Sequence, residues 1–366
     1  KGVAGTSFSL RLPIPSGLRE RLQRFRPDVV HSHHPFMLGD TALRVAREWG
    51  VPLVFTHHTM YERYAYLFRR DSAGLQALCR DIATEYANLC DLVVAPTESI
   101  KRIVRERGVT SPVAVIPSGV DLQRYANGDG ERARAKYDIA GNAFVLGYVG
   151  RVVEVKNMAF LARAAARFLQ GCPDARFLVV GEGESSASVR NILAEAGVQD
   201  RLVMAGELHH RELADAYAAM DVLGFASTTD TQGLVLVESL AAGVPVVALK
   251  APGALDIVND GRTGRLLPAA AEPDTFAQAL AELYADQDRL RAWRQNAKKS
   301  VQRYDRKRCA GELLDCYREL EPGRPADRSE GLPFLEALEE RFSVEWDLLR
   351  EKLAVAVSAL NDEGDS

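Results

Sequence analysis

The sequence contains no run approaching about 20 consecutive apolar residues, the length a helix needs to cross a bilayer. A membrane-spanning helix is therefore not expected. The first residues, KGVAGTSFSL, lack the apolar core of a signal peptide, so export is not expected either. Cysteine is scarce and unpatterned: Cys79, Cys90, Cys172, Cys309 and Cys316 are odd in number and never spaced as Cys-x-x-Cys. Such a set is no disulfide framework, and it fits a reducing compartment. Neither sign of charge dominates, because 46 Lys+Arg against 50 Asp+Glu leave a formal net charge of −4 with no long block of either. Nucleic acid, whose binding depends on phosphate neutralisation, is not an expected partner.

What the chain has is length and apolar content: 366 residues, 47% of them hydrophobic, enough for two or three domains that need no disulfide or metal staple. Short runs of Val, Leu and Ile alternate with Ala-rich segments of helical period, the pattern of parallel sheets covered on both faces by helices. Strands are predicted at 28–32, 53–56, 92–95 and 113–116, with helices between them; in the one over 74–90, Leu75, Leu78, Ile82 and Leu89 share a face. A polar, Gly-containing stretch over 126–143 reads as a linker. Six further strands follow, at 144–149, 177–181, 202–205, 222–226, 245–248 and 264–267. GVPLVF and YANLCDLVVAPT in the first half resemble GVPVVA and YAAMDVLGFAS in the second, but in swapped order. Shared helix-to-strand chemistry explains this better than tandem duplication.

The segment ASTTDTQGLVLVESLAAGVPVVA, over 226–248, joins a buried strand through a polar loop to a helix and a further strand. In doubly wound sheets ligands lie beyond the carboxyl ends of strands, and free N–H groups at a helix N-terminus suit a phosphate. Gly233 lets the backbone come close. Asp230 in the loop and Glu238 in the helix, with seven residues between, place two carboxylates beside one polyhydroxyl ligand. The plainer reading of Glu238 is a solvated helix acid; its place within LVLVESLAA argues against that, since an unpaired carboxylate among apolar neighbours is costly. In GYVGRVVEVKN, over 147–157, Arg151 and Lys156 follow another strand end and can clamp a diphosphate.

From about residue 26 to about residue 320 the chain resembles the family 4 glycosyltransferases of the GT-B fold. The matching pieces are the segments above together with RPDVVHSHHP, VIPSGVD, LVVGEGE and GRTGRLL. The resemblance implies an α/β protein with two doubly wound Rossmann-like domains facing a cleft, plus C-terminal helices. An acceptor-side domain is expected over 1–125, the linker over 126–143 and a nucleotide-sugar domain over 144–303. A helix over 304–320 is expected to cross back to the first domain, and a linker with a helical extension fills 321–366. The family's motif of Glu, seven residues, Glu falls on Asp230 and Glu238. Glu238 is then expected to hold the ribose, Asp230 the donor sugar, and Gly233, Leu234 and Val235 the sugar hydroxyls and phosphates. Arg151 and Lys156 would hold the diphosphate, with Gly150 and Gln232 completing the donor site. Asp in place of Glu at 230 shortens that side chain by one methylene and changes the reach to the sugar. No cofactor is implied; the donor is a nucleoside-diphosphate sugar, UDP-linked rather than GDP-linked.

The seven histidines form three clusters: His31, His33 and His34; His57 and His58; His209 and His210. Zinc ligation is not expected, because neighbouring side chains on an extended segment point apart and no Cys lies near. FTHHTMYERYAYLFRR, over 55–70, looks like the family's acceptor-side loop, with His58 at the position that contacts the donor sugar. His58, Asp230, Arg151 and Lys156 are the candidate catalytic residues, and His33, His57, Tyr61, Arg63 and Tyr64 the acceptor-side ones. HHTMYERY is especially similar to bacterial enzymes that glycosylate diacylglycerol, and its aromatic and cationic mixture suits a lipid acceptor at a membrane surface. The basic helix over 99–108 adds attraction to anionic lipid, although a solvated helix face explains it equally well.

Compared with the family, the N-terminal half is expected to lack at least one βαβ unit, since no strand precedes the glycines of KGVAGT. The amphipathic segment after Gly331 has Leu335, Leu338, Phe342, Trp346, Leu349, Leu353 and Leu360 on one face, and its many acids favour self-association or docking over lipid. The reading is a cytoplasmic retaining hexosyltransferase, peripheral on the inner membrane face, acting on a glycolipid-type acceptor. Transfer to a soluble acceptor, a sugar-nucleotide epimerase and a non-catalytic nucleotide-sugar-binding protein remain open.

Overall fold

A computed structural model describes residues 18–36, 38–63 and 73–320. Tyr64, the opening glycines and the 321–366 extension lie outside the described residues. Among the described residues ten strands form two separate, wholly parallel sheets. In the first, β1 (Val30–Ser32), β2 (Leu53–Thr56), β3 (Leu92–Ala95) and β4 (Val113–Val115) lie side by side in chain order. All four residues of β2, and all four of β3, are buried, which is why these strands read as continuous apolar runs. The connecting helices α2 (Leu38–Trp49) and α3 (Ala73–Asn88) are preceded in the chain by α1 (Leu18–Phe25). Between β3 and β4 runs α4 (Glu98–Glu106), whose N-terminus is capped by Thr97 accepting from the Ile100 N–H.

The segment expected as a linker is structured. It carries α6 (Gly130–Lys136), capped by Asp129, and follows directly on α5 (Leu122–Ala126), capped by Asp121. Helix α6 docks on the second domain through Arg132, which donates twice to Asp215, while Arg134 pairs with Asp221 at 3.0 Å. The polar composition that suggested a linker serves these ion pairs.

The second sheet has the order β10-β9-β8-β5-β6-β7. Its strands are β5 (Phe144–Val149), β6 (Ala175–Val180), β7 (Leu202–Gly206), β8 (Val222–Phe225), β9 (Val246–Leu249) and β10 (Gly264–Leu267). The chain winds outward from β5 to β7 and then returns beside β5 as β8, so the order reverses between β5 and β8, in register Leu146↔Val222 and Gly147↔Leu223. Helices α7 (Met158–Gly171), α8 (Ser186–Glu195), α9 (His210–Ala219), α10 (Leu234–Ala241), α11 (Pro252–Leu255), α12 (Pro273–Ala285) and α13 (Gln287–Ser300) cover the two faces. One core packs α7 and α12 on the sheet; the other holds α5, α9 and α10.

The last described helix, α14 (Arg306–Glu319), leaves the second domain and lies on the first. Its Leu313, Cys316 and Tyr317 close a small core of Val54, Leu92, Val94 and Ile116 on one face of the four-stranded sheet. Tyr317 also hydrogen-bonds the His31 ring.

Candidate functional site

A cavity of about 270 Å3 opens between the domains at the carboxyl ends of β5 and β8, the two strands between which the sheet order reverses. This is where the topology of an open parallel sheet leaves a crevice, because the connections on either side depart in opposite directions. Val149 ends β5, with Gly150 and Lys156 beyond it; Phe225 ends β8, and Ser227 and the residues from Asp230 to Val235 come from the loop after it and the start of α10. His58 and Ser118 reach it from the first-domain side.

Two loops are fastened to each other here. The Asn157 amide, on a residue of positive φ, donates to the Ala226 carbonyl at 3.3 Å, and Thr229 Oγ1 donates to the Val155 carbonyl. Lys156 then reaches Asp230, Nζ to Oδ1 at 2.6 Å, with side chains only 16% and 22% exposed. The second Asp230 oxygen, Oδ2, is buried without a hydrogen-bond partner among the described residues. Gly233, at φ +64°, turns the chain into α10; the Leu236 N–H donates back to the Gly233 carbonyl at 2.8 Å, and the N–H groups of Leu234 and Val235 stand at the open end of the helix. At Gly253 a Cβ would stand 2.7 Å from the Asp230 carbonyl, so only glycine lets α11 pass this close behind the loop.

The expected site residues divide. His58, Gly150, Lys156, Asp230, Gln232, Gly233, Leu234 and Val235 all line the cavity. Arg151 is exposed and does not line it; its carbonyl accepts from the Tyr148 hydroxyl at 2.7 Å. The expected pair of cations is thus one lysine, already neutralised by Asp230, and a peripheral arginine. Glu238 lies deeper in α10, where Tyr217 donates to its Oε2 at 2.7 Å and Tyr125 donates as well. Burial pushes the Glu238 carboxyl above its ordinary range, while the two tyrosine hydrogen bonds oppose that shift.

On the acceptor side, His33 and His58 are exposed with ring centroids 5.2 Å apart, and His33 stacks on His31 at 4.3 Å. His57 points the other way, 2% exposed, with Nδ1 unpartnered among the described residues. Burial, then the Arg107 guanidinium, hold its pKa at about 4. Burial also lowers His58, so both rings are neutral at pH 7. Tyr61 is buried and donates to the His33 carbonyl at 3.4 Å, whereas Arg63 is exposed. Tyr64 lies outside the described residues. Among the described residues no group of three His, Cys, Asp or Glu side chains is placed to hold a metal, and no helix is long and apolar enough to cross a membrane.

Sequence reasoning did not single out Tyr148, Ser118, Tyr125 or Tyr217. The first two sit inside segments already noted, GYVGR and VIPSGVD, and Tyr217 opens another, YAAMDVLGFAS. A lone Glu in an apolar run signals a buried donor, but Tyr217 lies 21 residues away and nothing local identifies it.

Residues 2–124 match the family model described as Glycosyltransferase Family 4, and residues 129–300 the one described as Glycosyl transferases group 1. The D-inositol 3-phosphate glycosyltransferase of Nocardia farcinica is 33% identical over 72% of this chain and 60% of its own length. A relative of the same name with the suffix 1, from Catenulispora acidiphila, is 33% identical over 81% of this chain and 73% of its own. The alpha-monoglucosyldiacylglycerol synthase of Acholeplasma laidlawii is 28% identical over 67% and 64%. The chain thus spans about 60% of the length of the Nocardia relative. Among solved structures, sucrose-phosphate synthase from Thermosynechococcus elongatus superposes with a TM-score of 0.71 at 22% identity, covering 82% of this chain and 75% of that one. HepE from Anabaena, in complex with UDP-glucose, gives 0.69 at 23%, covering 82% of each. Two parallel sheets facing a cleft, a ligand-sized cavity where the strand order reverses and the match of both halves lead to one conclusion: the chain belongs to the family 4 glycosyltransferases of the GT-B fold.

Proposed function

We propose that the chain transfers a hexose from a nucleoside-diphosphate sugar to an acceptor hydroxyl, with retention of anomeric configuration. The observation that carries this reading is the cavity at the α10 N-terminus, where the Lys156–Asp230 pair is set against the backbone N–H groups of the helix start. A diphosphate on those N–H groups draws Lys156 toward its charge and releases Asp230 to accept from sugar hydroxyls, Oδ2 being already unpartnered. Glu238 takes the ribose hydroxyls beside its tyrosines, and neutral His58 hydrogen-bonds the sugar from the opposite wall. The bond from the anomeric carbon to the phosphate oxygen breaks as the acceptor oxygen bonds to that carbon on the same face. The acceptor proton passes to the leaving diphosphate, whose charge Lys156 and the α10 N-terminus stabilise, with Arg151 at the rim.

The donor is a UDP-sugar, a reading supported by the solved HepE complexes with UDP and UDP-glucose. For the acceptor, Tyr61, Tyr64, Tyr66 and Phe68 interleaved with Arg63, Arg69 and Arg70 suit a glycolipid at the cytoplasmic membrane surface, and the Acholeplasma relative is named for a diacylglycerol product. A second reading, a soluble polyol phosphate, is favoured by the higher identity of the relatives named for inositol phosphate. The test is calorimetric titration of UDP, GDP, UDP-glucose, GDP-mannose and NAD into this chain, Lys156→Met and Glu238→Ala. Micromolar binding of a uridine ligand, weakened about 10- to 100-fold in both variants, supports the donor site. Binding of none, or binding indifferent to both substitutions, refutes it. Radiolabelled transfer to diacylglycerol vesicles or to inositol phosphate then separates the acceptors.

A further inference from the structure

Three consecutive side chains of the loop between β8 and α10 leave it toward three different parts of the molecule. Asp230 stays within its own domain, on Lys156. Thr231 crosses the cleft: its hydroxyl donates to the His58 carbonyl at 2.8 Å, and its carbonyl accepts from the Thr97 hydroxyl at 3.3 Å. Gln232 grips the segment between the domains, its Oε1 accepting from the Ser118 N–H at 2.9 Å and its Nε2 donating to the Ser118 carbonyl at 3.2 Å. Thr97, Thr231 and Gln232 are 2%, 8% and 4% exposed. Apart from these bonds, Asp256 accepts from the Ser99 N–H across the same boundary.

We propose that Thr231 and Gln232 are positioning residues that tie the donor loop to His58, so that the sugar-side and acceptor-side walls of the cavity move as one body. The inference rests on the donor site proposed above. Thr231 suits the task because its β-branched side chain is stiff at χ1, which fixes the direction of the hydroxyl toward a main-chain oxygen 173 residues away in sequence. Gln232 suits it because one amide satisfies both the donor and the acceptor of a single backbone residue, so any slip of the loop strands two buried polar groups at once. A ligand that settles Asp230 and the α10 N-terminus thereby settles the His58 main chain through Thr231, one residue along from Asp230. Thr97 extends the same connection, since its oxygen also caps α4.

The experiment compares wild type with Thr231→Val, which keeps shape and loses the hydroxyl, Thr231→Ser, which keeps the hydroxyl, and Gln232→Leu. In ligand-free protein, amide hydrogen exchange over 57–60 should quicken about tenfold or more in Thr231→Val, and over 117–119 in Gln232→Leu, with β5 and β6 unchanged. With a UDP-sugar, kcat should fall about 10- to 100-fold in Thr231→Val while UDP affinity stays within about threefold, and Thr231→Ser should return kcat to within about fivefold. Wild-type exchange over 57–60, or UDP affinity falling in step with kcat, overturns the inference, as does exchange that quickens throughout the chain. If the wild type neither binds UDP nor transfers sugar, the donor-site reading has failed, and the exchange comparison alone decides the coupling.

Discussion

At the scale of single residues, the groups around the cleft differ in what burial asks of them. Glu238 is half-buried with two tyrosine donors on its carboxyl, whereas His57 is buried as a neutral ring. The His57 consequence is measurable. Its folded-state pKa of about 4 lies below the unfolded value of 6.5, so the unfolded chain binds more protons between those limits. The contribution is therefore fully present above pH 6.5 and is lost as pH falls through about 4, to an extent on the order of 3 kcal/mol. His31, also held at about 4 by burial and by His33, adds in the same direction. Urea unfolding of wild type and His57→Gln from pH 7.5 to 4 should show a shallower loss in the variant. Equal slopes would show that His57 is not protected from protons in the folded state.

At the scale of elements, α10 and its entry loop carry the site, and Gly233 decides whether they can. A Cβ there would stand 3.0 Å from Leu236 Cδ1 and 3.2 Å from the Gly253 carbonyl, at a φ of +64° that L-residues seldom adopt. Gly233→Ala should destabilise the protein by about 1–2 kcal/mol and weaken UDP binding about tenfold, because relief of the strain moves the first N–H groups of α10. Thermal unfolding and calorimetry check the two parts; unchanged affinity would place the phosphates elsewhere. Helix α6 makes a different point. Its docking rests on Asp215, 5% exposed, which accepts from the Asp129 N–H and from two nitrogens of Arg132. Asp215→Asn should cost about 2 kcal/mol, read from the urea midpoint, since it removes the charge that three donors face. A cost near zero would mean that the Arg134–Asp221 pair and apolar contacts hold α6 without Asp215.

At the scale of the whole molecule, the described residues cross between the domains twice, at 116–121 and again at 304–306. The two crossings touch: the Val120 N–H donates to the Tyr304 carbonyl at 2.8 Å and the Arg306 N–H to the Val120 carbonyl at 3.1 Å. Beyond these crossings α14 closes the first sheet, so the stability of the first domain depends on residues near the end of the described chain. Leu313→Asp, which sets a carboxylate against Val54, Leu92, Val94 and Ile116, should cost about 2–3 kcal/mol. Protease digestion should then cut the first domain before the second, and equal resistance of both would show that α14 is not required to cover that face.

The sequence by itself determined the alternation of elements. Each of the ten strands lies within two residues of its expected place, because runs such as LVVA over 92–95 and FVLGYV over 144–149 carry their burial locally. The loop-to-helix entry at Gly233 was equally legible, since backbone freedom and a helix start are properties of neighbouring residues. Only the tertiary structure decided which side chains meet. Lys156 finds Asp230 across 74 residues, Glu238 finds Tyr217 across 21 and Thr231 finds His58 across 173. Arg151, adjacent in the chain to the same strand end, is left at the surface. Local patterning fixes period and polarity, but a hydrogen bond between distant residues depends on strand order and crossover direction, which period and polarity do not encode.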